Sequence, residues 1–99
     1  MSAFEFHPAK QKKNLRVHKI GLDVGARIFE GLTIEAEDDR FDHGEGRLIA
    51  LGADNGRVLV VVYTWRGGNR RIISARKARK DEEEIYYQTL ARHRVVDPD

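Results

Sequence analysis

Between Asn55 and Lys80 the chain carries Arg57, Arg66, Arg70, Arg71, Arg76, Lys77, Arg79 and Lys80 and no acidic side chain. A second cationic block, Lys10, Lys12, Lys13, Arg16 and Lys19, lies between Glu5 and Asp23, again with no acid inside it. A guanidinium fork matches phosphate oxygens two at a time and stays charged at every accessible pH, so arginines held on a regular strand suit a phosphate-bearing ligand. His18 closes the second block. Histidine titrates near neutrality and is the side chain best suited to moving protons beside such an anion. The competing reading is structural: lysines that solvate a helix face, arginines that pair with acids elsewhere, and a histidine that only ends a helix.

The formal net charge of +2, from 18 Lys and Arg against 16 Asp and Glu, hides this segregation. Acids gather instead between Glu35 and Glu45 and from Asp81 to Glu84. Separated blocks create local potential even when the sum is small. With no cysteine, disulfides and thiolate zinc sites are excluded. No apolar run approaches the roughly 20 residues needed to span a bilayer, and no signal-peptide pattern opens the chain. The expectation is a cytoplasmic protein of one domain over residues 1–99, with no membrane association.

The elements that must position these charges are organised around Val58–Arg66, an apolar, β-branched run that reads as a strand buried on both faces. Asp54-Asn-Gly56 before it and Gly67-Gly-Asn69 after it are hairpin signals. With Arg47–Leu51 and Arg70–Arg76 they predict a three-strand antiparallel meander. Phe4–Phe6 reads as a short edge strand, and Leu32–Ala36 as another strand. His7-Pro8 opens a helix to about Lys19, stopped by Gly21, with Ala9, Leu15 and Val17 as a narrow inward seam. Asp23 caps a short second helix that ends at Gly31. Asp81 with Glu84 reads as a capping box for the last helix, whose buried side is Ile85, Tyr86 and Leu90. The fold class is α+β: an antiparallel sheet with that meander, two N-terminal helices and a C-terminal helix.

Several segments together resemble a known family. They are Phe4-Glu-Phe-His-Pro-Ala-Lys10, Asn14-Leu-Arg-Val-His18, Arg27-Ile-Phe29, Glu45-x-Arg47, Tyr-Thr-x-Arg66 and Arg71-Ile-Ile-Ser-Ala-Arg-Lys-Ala78, followed by an acidic helix start and Tyr87. Their pattern is similar to that of the BrnT toxins, from Phe4 to about Tyr87. The resemblance implies a RelE-like fold and an endoribonuclease toxin of a type II toxin–antitoxin pair. It also implies neutralisation by a BrnA-type ribbon-helix-helix antitoxin, with operator DNA bound only through the complex. The chain departs from the pattern at His7, where aspartate is usual, and at His-Lys-Ile-Gly21, where His-Gly is usual.

RNA cleaves itself when its 2′-hydroxyl is deprotonated and aimed at the adjacent phosphorus. Catalysis then needs a base, cations for the charged transition state and an acid for the departing 5′-oxygen. Arg66, Arg71 and Arg76 are the candidate cations, and Arg71 is preferred over Arg70 because the two point to opposite faces of the strand. His18 is the candidate acid or base. Glu45 is a second base, or serves to orient Arg47. Lys10, Lys13, Arg47, Arg79 and Tyr87 are assigned to RNA binding. Tyr86 and Trp65 could also stack on bases, although burial at a strand end or contact with an antitoxin is the simpler reading of Trp65. No metal or cofactor is expected: the acidic cluster Asp38, Asp39, Asp42, His43 and Glu45 has neither calcium-loop nor zinc spacing. A non-catalytic nucleic-acid-binding module and an antitoxin-docking module are the alternatives.

Overall fold

The computed structural model describes residues 3–39 and 46–95. Its elements in chain order are β1 (Phe4–Glu5), α1 (Pro8–His18), α2 (Leu22–Gly25), a 3-10 helix (Ala26–Glu30), β2 (Thr33–Glu37), β3 (Arg47–Asp54), β4 (Arg57–Arg66), β5 (Asn69–Lys77) and α3 (Lys80–Val95). The strands form one five-stranded sheet in the order β1-β5-β4-β3-β2. The meander β3-β4-β5 and its neighbour β2 are antiparallel, whereas β1 joins the outer side of β5 in parallel.

β4 is buried on both faces, and the sheet carries a core on each side. Leu59, Val61 and Tyr63 pack with Ile20, Leu22, Ala26, Ile28, Ala50, Ile72 and Ala75 beneath the N-terminal helices. Val58 and Val60 pack with Ala78 and Tyr86 beneath α3. The helical layer lies so close that a Cβ added at Gly52 would sit 2.6 Å from Cβ of Ile28, and one at Gly25 would sit 2.6 Å from Cβ of Ala75.

β4 and β5 change register between Val62, opposite Ser74, and Tyr63, opposite Ile72, so Ile73 is an extra residue in β5. A bulge of this kind re-aims the side chains around it.

Four local expectations are corrected. The apolar seam of α1 does not face inward: Leu15 is 46% and Val17 55% exposed, and the buried residue of the helix is Asn14. The helix runs along the part of β5 not covered by β1, where unpaired backbone groups need a polar partner more than an apolar one. α1 stops at Lys19, which adopts the left-handed conformation at φ 63° and returns its N–H to the Leu15 carbonyl, so Gly21 is not the stop. Asp23 does not cap α2; it accepts a hydrogen bond from Gln11, whose own amide oxygen receives the Leu22 N–H. The capping box of α3 lies two residues earlier than expected, with Glu82 accepting the Arg79 N–H at 2.8 Å, and Ile85 is half exposed while Tyr86 and Leu90 face the core.

A candidate anion-binding groove

The register of the sheet sorts its charged residues onto different faces. Arg71 lies opposite Thr64 and Arg70 opposite Trp65 in the β4–β5 ladder. Arg71 points toward the open end of the α3 side of the sheet. Arg70 points the other way, its guanidinium carbon 4.1 Å from the Phe29 ring centroid, 4.7 Å from Trp65 and 5.3 Å from Tyr63.

At that open end is a cleft of about 520 Å³ lined by Lys10, Gly46, Arg47, Thr64, Trp65, Arg66, Arg71 and Ile73. A second hollow of about 250 Å³ shares Lys10 and Ile73 with it and continues along α1 past Lys13, Asn14, Val17, His18 and Ser74. The two form one groove between α1 and the β4–β5 bulge. None of its lining side chains is acidic.

Each wall has an identifiable support. The side chain of His7 caps α1 through Nδ1, which accepts the Ala9 N–H at 3.1 Å, so the departure from aspartate keeps the cap. Asn14 ties the helix to β5: its amide nitrogen donates to the carbonyls of Ile20 and Ala75, each at 2.7 Å, and its oxygen accepts the Ala75 N–H at 3.1 Å. This side chain acts as a fragment of an extra strand on the edge of β5, and so fixes the distance of Lys10, Lys13 and His18 from the sheet. On the far wall, Thr64 donates to the Gly46 carbonyl at 2.7 Å and anchors the chain entering Arg47. Glu5 of β1 lies 3.8 Å from Arg66 and 3.9 Å from Arg71, and Asn69 donates to its other oxygen at 3.3 Å.

The remaining candidates lie elsewhere. Arg76 is held by Glu82 in a two-pronged pair at 2.9 and 2.8 Å and is not among the residues lining the groove. That pairing is the main reason the Glu82 carboxyl is held down to about 2 from the ordinary 4.5. Arg79 engages Asp81 at 3.2 Å and Glu82 at 3.3 Å. Tyr87 is exposed on α3, edge-on to Tyr86 at 5.5 Å. Glu45, Asp42 and His43 lie outside the described residues. Thus Lys10, Lys13, His18, Arg47, Arg66 and Arg71 meet in one groove, while Arg76, Arg79 and Tyr87 belong to the α3 side.

Three contributors escaped sequence reasoning. Glu5 reaches the arginines only through the parallel pairing of β1 with β5, which no short-range pattern encodes. Ile73 enters the groove because of the bulge. Asn14 was placed on the cationic face of α1, but its polar type at a buried position was a signal of a structural role.

Fold and groove together define a small α+β protein that presents a cationic, phosphate-sized site on one end of a mostly antiparallel sheet. The chain belongs to the family described as ribonuclease toxin, BrnT, of type II toxin–antitoxin system, whose model matches residues 6–82. Its fold is similar to that of the Brucella abortus ribonuclease toxin, BrnT, known from a crystal structure at 1.1 Å, with a TM-score of 0.60 and 20% sequence identity over 81% of this chain and 100% of that chain. No curated protein matched the chain in sequence. Among the described residues, no helix is long and apolar enough to cross a membrane.

Proposed function

We propose that this toxin cleaves RNA in the groove between α1 and the β4–β5 bulge, by metal-independent transesterification, and acts as one domain in the cytoplasm. The observation that carries the reading is the convergence of Lys10, Arg47, Arg66 and Arg71 on one cleft with no acid in its lining. Arg66 and Arg71 take the scissile phosphate and oppose the negative charge that grows on its oxygens during attack. Lys10 and Lys13 hold the flanking backbone, with Arg47 on the opposite wall. The 2′-oxygen attacks phosphorus and the bond to the 5′-oxygen breaks, leaving a cyclic phosphate and a free 5′-hydroxyl. One group removes the proton from the 2′-hydroxyl and another returns one to the 5′-oxygen. His18, at the α1 end of the groove, is assigned to one of these transfers and Glu45 to the other.

In this reading the toxin is neutralised by a BrnA-type ribbon-helix-helix antitoxin, and operator DNA is bound only through that complex. Arg76 and Arg79 serve the seat of α3 more directly than they serve the phosphate, since both are engaged by acids of that helix.

The test is incubation of a long RNA with purified, antitoxin-free protein in EDTA, alongside Arg71→Ala and His18→Ala. Fragments ending in cyclic phosphate are expected from the native protein and should be lost or slowed at least a hundredfold in Arg71→Ala. Intact RNA from folded native protein, with a shifted band in a gel, would instead identify a binding module.

A further inference from the structure

Trp65 has a use that the groove's cations do not account for. It lies on β4 between Thr64 and Arg66 and is among the residues lining the cleft, yet it is 50% exposed. Large aromatic side chains are normally covered at strand ends, and this one is supported without being covered. The Arg70 guanidinium backs its ring at 4.7 Å, and Tyr63 meets it edge-on at 5.7 Å and 83°. Arg70 and Tyr63 are themselves locked, the former over Phe29 at 4.1 Å and the latter by donating its hydroxyl to Glu35. A ring held from behind and from one edge, with half its surface open, presents its other face in a fixed orientation.

We infer that Trp65 is a stacking platform for an unpaired nucleobase next to the phosphate bound by Arg66 and Arg71, so that the groove takes single-stranded RNA. The inference rests on the ribonuclease reading above, because it is the phosphate cleft that makes a base the fitting occupant. A flat apolar ring one residue from a phosphate-binding arginine matches the layout of a nucleotide, in which a planar base is tethered a few ångströms from its phosphate. A base paired inside a duplex has its faces buried against its neighbours and cannot offer one to the ring. Because the ring is already ordered by Arg70 and Tyr63, little side-chain freedom is lost on stacking. A stacked base contributes on the order of tenfold or more in affinity, whatever its identity.

The chain contains a single tryptophan, so its fluorescence reports on this ring alone. The experiment titrates the full-length protein with a short 2′-O-methyl oligonucleotide, which lacks the nucleophile, and with an abasic oligonucleotide of the same length. Binding is followed by anisotropy of a label and stacking by quenching of Trp65. The expected result is saturable quenching by the base-bearing strand, with the abasic strand binding about tenfold more weakly and leaving fluorescence unchanged. Trp65→Leu, checked for folding by circular dichroism, should bring the two strands to equal affinity. Equal binding of both strands to the native protein without quenching overturns the platform and leaves the phosphate groove standing. Binding of neither strand overturns the platform together with the nucleic-acid reading. Quenching only by the purified antitoxin, with oligonucleotides bound but silent, assigns the ring to the protein partner and also overturns it.

Discussion

Asn14 and the backbone of Ala75 pair like two residues of adjacent strands, although one partner is a helix side chain. The amide donates to the Ala75 carbonyl at 2.7 Å, accepts its N–H at 3.1 Å and has a further donor bond to the Ile20 carbonyl at 2.7 Å. This contact sets where α1 lies, and with it one whole wall of the groove.

Asn14→Leu should therefore destabilise the fold by about 3 kcal/mol, since it strands a buried N–H and two carbonyls at once. Urea unfolding measures this. Asn14→Asp is the informative companion. It keeps an acceptor for the Ala75 N–H but turns a carboxylate toward two carbonyls, which raises its folded pKa. A raised pKa gives stability that is present at low pH and lost as pH rises, so this variant should gain stability on acidification where the native protein does not.

The Arg76–Glu82 pair makes the opposite prediction about pH. The Glu82 carboxyl is held near 2 in the folded protein against the ordinary 4.5, chiefly by Arg76. Its contribution is complete above about pH 5 and is lost as pH falls toward 2. Glu82→Gln should cost about 2 kcal/mol at pH 7 and almost nothing near pH 2, flattening the acid limb of the stability curve. Thermal unfolding between pH 2 and 7 tests it, and an unchanged acid limb would show that other carboxyls dominate.

Arg70 and Arg71 are neighbours with opposed duties, and alanine at each should separate activity from stability. Arg71→Ala, opening onto the cleft, should lower RNA cleavage at least a hundredfold and alter stability by less than about 1 kcal/mol. Arg70→Ala removes the guanidinium from between Phe29 and Trp65 and should destabilise by about 1–2 kcal/mol. Cleavage by the folded fraction of Arg70→Ala should fall far less. Equal loss of activity in both variants, at equal folded fraction, would contradict the face assignment.

Gly52 tests the seating of the helical layer. An alanine there places its methyl 2.6 Å from Cβ of Ile28, an interior atom of the core that can move only with its backbone. The expected cost is about 1–3 kcal/mol. Gly52→Ala combined with Ile28→Val should not recover it, because the clash is with a carbon that valine retains.

Much of the architecture was legible in the chain. Val58–Arg66 announced a two-sided strand by its β-branched run, and Asn55-Gly56 and Gly67-Gly68 announced the hairpins, because positive φ angles at tight turns select those residues; φ at the glycines is 80°, 57° and 84°. The alternation of a strand also placed Arg70 and Arg71 on opposite faces before any coordinates were known. Residue type, local conformation and charge segregation act over a few positions, and a single sequence displays them directly. The rest depended on contacts between distant segments. Parallel pairing of β1 with β5 brought Glu5 to Arg66 and Arg71. The bulge at Ile73 turned the end of the sheet into a groove. The seat of α3 gave Arg76 a carboxylate partner, while Arg70 and Tyr63 propped Trp65 open instead of burying it. These outcomes were decided by register and by which buried polar groups found partners, and such competition is resolved only when the whole chain packs.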